Sequence, residues 1–312
     1  MKRTVLGALL AMATATGCSG GDAVLADLNL QPPPANALQI VAPPIRGLAS
    51  GSDSNWCTWT HFVADRDIFI KGVQGFQTHG GHHVVVYKTK AKKEPGTTRA
   101  CDELDLSTFR FVAGAGGEGI QDTNEAPGEL AFTLEPGDQV VLEQHYINAT
   151  PKTLDVQSAV TLHLGEPGKS YVRSGAMAFL DSVFTLPQGT ARVDVSCTME
   201  RDTDAWFLIP HMHRWGTKIT VDHVVAATEA TTRLFDTDWE PAFTFQPPEK
   251  RYDTAAPYTF KKGDKVNVSC TWLNDTGAEL TFGREMCVFY AQTIDRERLG
   301  NVSCDKGVWG DF

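Results

Sequence analysis

The residues of this chain best suited to metal chemistry are histidines, and some of its nine histidines stand at spacings that permit shared ligation. His211 and His213 are two residues apart in a run of β-forming residues. Because side chains two apart on a strand point to one face, both imidazoles can reach one metal while Met212 points the other way. The spacing predicts a pair of metal ligands.

A second histidine group combines an adjacent pair with a distant residue. His82 and His83 follow Gly80-Gly81, and neighbours on a regular strand face opposite ways. Joint ligation therefore needs a strand end or a β-bulge, for which the glycines supply the backbone freedom. His145 lies in an otherwise apolar strand, where a structural core histidine is the alternative interpretation. The other histidines are interpreted as structural, surface or second-sphere residues: His61, His79, His163 and His223.

The choice of metal depends on a sulfur ligand. Imidazole suits copper, zinc, iron and nickel, whereas a thioether selects Cu(I). Strand alternation puts Met286 on one face with Tyr290, while Cys287 faces the other way. No carboxylate is evidently paired with the histidines, which argues against an iron site of the two-histidine, one-carboxylate type. Taken alone, a methionine in a strand is more often a core residue than a ligand.

The body of the chain is predicted to be β-structure. After residue 50 there is no long helical period, and short runs rich in β-branched and aromatic residues alternate with turn sequences. Nine strands are predicted, at 67–73, 83–88, 139–146, 159–164, 192–197, 205–213, 218–223, 265–273 and 285–292. This pattern is typical of antiparallel β-sandwiches, and the stretch 165–170 is the predicted boundary between two of them. No internal repeat is visible in the sequence.

The start of the chain indicates export. Two basic residues and an apolar run lead to Ala15-Thr16-Gly17-Cys18, which resembles a bacterial lipoprotein signal at 1–18 with lipidation at Cys18. A plain signal peptide is the alternative. Residues 19–45 are rich in Pro, Gly and Ala and predict an extended tether. The expected location is the bacterial cell envelope, at the outer membrane, with the lipid as the only membrane contact.

Export changes the interpretation of the cysteines. The chain has seven, and an even number remains after Cys18, which in an oxidising compartment predicts disulfides. The spacings contain no C-x-x-C, so a zinc or redox site is a weak alternative. The sequence alone does not choose among the possible pairings.

Composition excludes several classes of protein. With 312 residues, 42% of them hydrophobic, the chain is globular and long enough for about two domains. The net charge of −10 leaves no global positive field for nucleic acid. No apolar run reaches the length of a membrane span.

The chain resembles the copper type II, ascorbate-dependent monooxygenases, the family of peptidylglycine α-hydroxylating monooxygenase and dopamine β-monooxygenase. In that family one copper is held by an adjacent histidine pair and a later His-Tyr, matched here by His82-His83 and His145-Tyr146. The other is held by His-x-His and by a methionine in Glu-Met-Cys, matched by His211-Met212-His213 and Glu285-Met286-Cys287, with Tyr290 following. The resemblance covers roughly residues 50–305.

The resemblance implies two tandem jelly-roll sandwiches, at 46–168 and 169–312, whose copper sites face each other across a solvent-filled cleft. The implied ligands of the two copper ions are His82, His83 and His145 in the first domain, and His211, His213 and Met286 in the second. The methionine site, with Tyr290 beside it, would carry the chemistry, in which O2 and ascorbate hydroxylate a C–H bond of a small organic substrate. The implied disulfides are Cys57–Cys101, Cys197–Cys304 and Cys270–Cys287.

Some points remain open at this stage. The main alternative to a monomeric enzyme is a copper carrier or sensor that keeps both sites but has no turnover, and a β-sandwich adhesion or carbohydrate-binding module ranks last. In peptide-hydroxylating members of the family, an arginine two residues before His-x-His grips the substrate carboxylate, and this chain has Ile209 there. Glycine-extended peptides are therefore expected to be poor substrates. Arg284 shares the face of Met286, whereas alternation turns Arg214 away.

Overall fold

The structure, a computed structural model, describes residues 24–102, 108–119, 123–244, 246–297 and 300–311. The predicted signal at 1–18, its Cys18 and residues 19–23 lie outside these ranges. No helix among the described residues is long and apolar enough to cross a membrane.

The described chain is all-β, as predicted, and each of the nine predicted strands is present. The alternation of buried and more exposed side chains accounts for these strands. In the strand Lys265–Asn274, for example, every second residue is buried and its neighbours are not. The longest sheet contains twelve strands: β1 (Ala37–Val41), β4 (Ile68–Gln77), β8 (Thr123–Glu125), β9 (Leu130–Leu134), β12 (Ser158–Leu164), β13 (Val172–Leu180), β16 (Thr203–His211), β19 (Lys250–Arg251), β20 (Tyr258–Phe260), β23 (Val288–Asp295), β24 (Val302–Asp305) and β25 (Val308–Asp311).

Two further sheets cover parts of the long one. The five-stranded sheet contains β3 (Asp53–Val63), β5 (Gly81–Thr89), β6 (Thr98–Ala100), β7 (Arg110–Ala115) and β10 (Gln139–Ile147). The four-stranded sheet contains β15 (Gly189–Thr198), β17 (Gly216–Val224), β18 (Thr231–Asp238) and β21 (Lys265–Asn274). The described residues also form two small strand pairs, β2 (Ile45–Leu48) with β11 (Leu154–Val156) and β14 (Thr185–Leu186) with β22 (Leu280–Thr281), and 3-10 turns at Ala26–Leu28 and Pro241–Thr244.

Two hydrophobic cores lie on the long sheet. The first is between this sheet and the five-stranded sheet, and the second includes Phe179 and Phe289 of the long sheet and Val268 of the four-stranded sheet. The long sheet runs on from one half of the chain to the other, because β9 pairs in parallel with β13. Trp206 and Phe207, from the second half, pack into the first core. The two sandwiches therefore share a sheet and part of a core.

The predicted tether at 19–45 is wrong for its described part. β1 pairs with β12 along five residues, Leu28 is buried, and the Leu25 N–H donates to Gln157 Oε1 at 2.8 Å. The apolar residues Leu38 and Ile40 pack against the first core. Burial of these side chains stabilises the segment against the sheet, despite a composition typical of linkers.

Two strands near the predicted metal site differ from the sequence prediction in their bounds. β16 ends at His211 rather than at 213, and β23 begins at Val288 rather than at 285. Between these ends the chain turns at Arg214 and Trp215. Strand alternation therefore does not fix the direction of Arg214.

The three implied disulfides are confirmed. Cys57 is bonded to Cys101, Cys197 to Cys304 and Cys270 to Cys287. The second ties the C-terminal strands to β15, and the third joins β21 to the segment that carries Met286. Three disulfides fit an oxidising compartment.

The two sandwiches repeat the same turn chemistry, although their sequences show no repeat. The carboxylates of Asp138 and Asp264 each accept a backbone N–H from three residues earlier, at 2.7 and 2.8 Å. Ten residues further on, Asn148 and Asn274 are both buried. Each donates its side-chain N–H groups to three backbone carbonyls, and each accepts from the threonine two residues later.

Candidate metal centre

A β-bulge brings the adjacent histidines of the first half to one site. Between β5 and β10, His83 is opposite His145 while Gly81 is opposite Tyr146, so His82 is an extra residue with no counterpart. The sequence required either a strand end or a bulge after Gly80-Gly81, and the structure has a bulge. It lets both neighbouring imidazoles turn toward His145.

The three imidazoles of this group, the first histidine group, converge closely. A ligand nitrogen from each of His82, His83 and His145 lies within 4.8 Å of the other two. The Nδ1 atoms of His82 and His145 are 2.9 Å apart. His82 and His145 are 3% and 6% exposed. Three nitrogens at this separation can serve as ligands of one metal ion.

Asp53 orients His145 from the far side of its ring. At the start of β3, its Oδ1 lies 2.6 Å from His145 Nε2. Burial raises the pKa of Asp53, but the hydrogen bond and the charges of nearby histidines outweigh this, so the pKa falls below its usual value. With Nε2–H donated to the carboxylate, Nδ1 of His145 faces His82, which is the arrangement of a metal-binding histidine backed by a carboxylate.

The second histidine group lies at the end of β16. The ring centres of His211 and His213 are 5.0 Å apart, and Met212 between them is fully buried in the second core. The methionine therefore points away from both histidines, as predicted. The prediction that both histidines lie on the strand is wrong, because His213 follows the last strand residue.

Glu285 holds the second histidine group together. Its buried carboxylate accepts the backbone N–H groups of His213 at 3.0 Å, Trp215 at 2.8 Å and Met286 at 3.3 Å, and the indole N–H of Trp272 at 2.7 Å. Burial raises the pKa of Glu285, and these donors lower it only in part. These bonds give Glu285 a structural role, because they hold the chain in its turn after β16.

Met286 lies next to this group but outside a strand. Its N–H and that of His213 donate to the same oxygen of Glu285, so the two backbones are neighbours. Tyr290 lies on β23 opposite Ile209, and its ring contacts Phe111 of the first half at 5.1 Å between centres. Burial raises the pKa of Tyr290 far above its usual value.

The two histidine groups meet. The ring centres of His145 and His213 are 6.4 Å apart, and the charges of His145 and Asp53 act on the pKa of His213. At this point the halves of the chain leave no wide solvent-filled cleft between the groups.

Most of these histidines are neutral at neutral pH. Burial, together with the charges of the other histidines, lowers the pKa of His82 to about 3 and holds the pKa values of His83 and His211 well below the usual value. Burial also lowers the pKa of His213 to about 4. The neutral imidazole is the form that binds metals, so these residues are ready as ligands.

The remaining histidines lie elsewhere. His79 Nδ1 is 2.6 Å from Glu118, in the turn before the first histidine group. His223 is buried between Tyr258 and Asp264, at 2.7 and 2.8 Å, in agreement with a structural role. Sequence reasoning missed Asp53 and Glu118, because each reaches its histidine across a long stretch of chain and neither stands in a recognisable motif.

The chain was compared with protein families, with curated sequences and with solved structures. No protein-family model matches the chain, and no curated protein sequence matches it. Among solved structures, the major capsid protein P2 from bacteriophage PM2 aligns with 85% of this chain and 99% of its own, at 9% identity and a TM-score of 0.35.

Proposed function

We propose that the protein is a copper-dependent monooxygenase that hydroxylates a C–H bond of a small organic substrate, with O2 and an ascorbate-type reductant. The observation that carries the proposal is the convergence of His82, His83 and His145 within 4.8 Å, beside a second pair of histidines at 6.4 Å between ring centres. The family resemblance supplies the reaction type.

The donor set fits copper. Three neutral imidazoles bind copper and tolerate both of its common oxidation states, whereas the thioether of Met286 favours Cu(I). Bound copper would supply one-electron chemistry with O2. The chain itself supplies the orientation: Asp53 fixes the ring of His145, and Glu285 fixes the backbones of His213 and Met286.

The proposed location of the protein is the bacterial cell envelope. Three disulfides favour an exported protein. The signal-like start of the chain supports an outer-membrane lipoprotein anchored through Cys18, facing the periplasm or the surface.

The test is copper binding combined with turnover. The full chain, loaded with copper, should bind two ions and consume O2 in the presence of ascorbate and one member of a panel of amines, phenols and aromatic compounds. Glycine-extended peptides should react poorly, because Ile209 replaces the arginine that grips a peptide carboxylate in the family. Two bound coppers without turnover on any substrate or reductant would make the protein a carrier. Failure to bind copper would contradict both functions.

A further inference from the structure

Two arginines at the edge of the second histidine group, Arg214 and Arg284, have no acidic partner among the described residues. Nine other described arginines form ion pairs with Asp or Glu. Arg214 and Arg284 are exposed, and neither forms an ion pair with a described residue. In a chain of net charge −10, two neighbouring uncompensated cations create a local positive potential that attracts anions.

Trp215 holds both guanidinium groups in place. Their central carbons lie 5.0 Å (Arg214) and 5.6 Å (Arg284) from the centre of its ring, and so less than about 11 Å from each other. The backbone of Trp215 is fixed on both sides, because its N–H donates to buried Glu285 and its carbonyl accepts from Leu273 at 3.0 Å. A guanidinium held near an aromatic ring still has N–H groups available for an anion.

This cluster adjoins the proposed metal ligands. Arg214 directly follows His213, and the carbonyl of Arg284 lies 3.0 Å from His213 Nδ1. Met286 is two residues beyond Arg284. An anion bound by the two arginines would therefore sit beside the second histidine group.

We propose that Arg214, Trp215 and Arg284 form a binding site for a small, flat organic anion. Carboxylates and enediolates accept charge-assisted hydrogen bonds from guanidinium groups, and a conjugated ligand can contact the indole ring. The anion is a reactant if the proposed function is correct, either as the ascorbate reductant or as the carboxylate of a small substrate that, unlike a glycine-extended peptide, does not depend on an arginine at position 209.

The test measures anion binding without turnover. The copper-free full chain is titrated calorimetrically, under anaerobic conditions, with ascorbate, with benzoate and with neutral benzamide. Ascorbate or benzoate should bind and benzamide should not. Binding of ascorbate alone identifies the reductant as the ligand, and binding of benzoate alone identifies a substrate carboxylate. Because no copper is present, failure of the oxygenase proposal does not affect this result.

Variants locate the site. R214Q and R284Q should each weaken binding by about twofold to fivefold, as expected for exposed charged contacts, and the double variant should weaken it further. R201Q, a matched change at an arginine that also lacks an acidic partner among the described residues, should leave affinity unchanged. Unchanged affinity in the double variant, equal binding of benzamide, or no binding of either anion would overturn the proposal.

Discussion

At the scale of single residues, the first histidine group depends on a carboxylate that is not itself a metal ligand. Asp53 lies 2.6 Å from His145 Nε2, so it selects the tautomer whose Nδ1 is free to bind a metal. It is a positioning residue, so its replacement should change the affinity and the spectrum of bound copper rather than the fold.

Replacement of Asp53 by Asn should weaken copper binding at the first site by about tenfold. Competition with a chelator measures the affinity, and electron paramagnetic resonance of the Cu(II) form should show a changed spectrum. Asp65→Asn alters an aspartate whose side chain is 78% exposed and should change neither. An unaltered spectrum and affinity in the Asp53 variant would show that the carboxylate does not orient the ligand.

Met286 is the residue that would distinguish the two proposed copper sites chemically. Met286→Ile removes the thioether that favours Cu(I) and retains apolar bulk. The variant should lose ascorbate-dependent O2 consumption while keeping most of one copper per chain, as measured by metal analysis. Two coppers per chain with full activity would refute the ligand assignment.

At the scale of elements, the bulge in β5 is the decisive local structure. A Cβ on Gly81 would lie 2.3 Å from Gln77 Cβ, a backbone-linked atom that cannot move aside. The position therefore requires glycine because of this close approach.

Gly81→Ala should lower the free energy of unfolding by about 2 kcal/mol and abolish copper binding at the first site. Gly114→Ala is the matched control in a strand of the same sheet, since nothing lies within 4 Å of the added carbon. Urea denaturation of the copper-free protein and metal analysis test both effects. Equal stability and metal content in the two variants would contradict the importance of the bulge.

The carboxylate in the second of the repeated turns should make the stability of the protein depend on pH in the acid range. Asp264 is buried, and hydrogen bonds from the backbone of Ala226 and Lys261 and from His223 outweigh the opposing effect of burial to lower its pKa. A carboxyl whose pKa is lower in the folded state stabilises the protein above its unfolded pKa of 3.8, and loses that contribution as the pH falls.

Asp264→Asn should therefore cost about 2 kcal/mol of stability at pH 7, and this difference should shrink below pH 3.8. Asp194→Asn removes an exposed pairing with Arg192 and should change stability little. Urea denaturation at several pH values measures both, and a pH-independent loss in the Asp264 variant would contradict the ionic origin.

At the scale of the whole molecule, the two halves are not independent units. The long sheet crosses between them through the parallel pair β9–β13, and Trp206, Phe207 and Ile294 complete the core of the first half. Removal of the second half exposes the edge of β9 and leaves space in that core.

A fragment of residues 24–168 should consequently lack a cooperative unfolding transition. Its thermal unfolding, followed by near-ultraviolet circular dichroism, should be broad, and it should bind a dye specific for exposed apolar surface. A sharp transition like that of the full chain would show that the first half folds alone.

The limits of prediction from sequence follow from the range of the interactions. Alternation and glycine placement are local patterns, so the strands and the opposite direction of Met212 from its neighbouring histidines could be predicted. The same patterns called for an irregularity at His82-His83, either a strand end or a bulge, without choosing between them. The disulfide pairs required the family resemblance. β1 has a linker-like composition, and Asp53 meets a histidine 92 residues away, so their positions depend on tertiary contacts that local patterns do not contain.

The two buried asparagines have a consequence for producing this protein. Asn148-Ala-Thr and Asn274-Asp-Thr both match the acceptor sequence for N-linked glycosylation. In a eukaryotic secretory pathway, a sugar attached before folding would replace a hydrogen on the nitrogen that donates to three carbonyls in each turn. Expression in a bacterial periplasm allows the disulfides to form without that modification, so both asparagine side chains keep the N–H groups that their turns need.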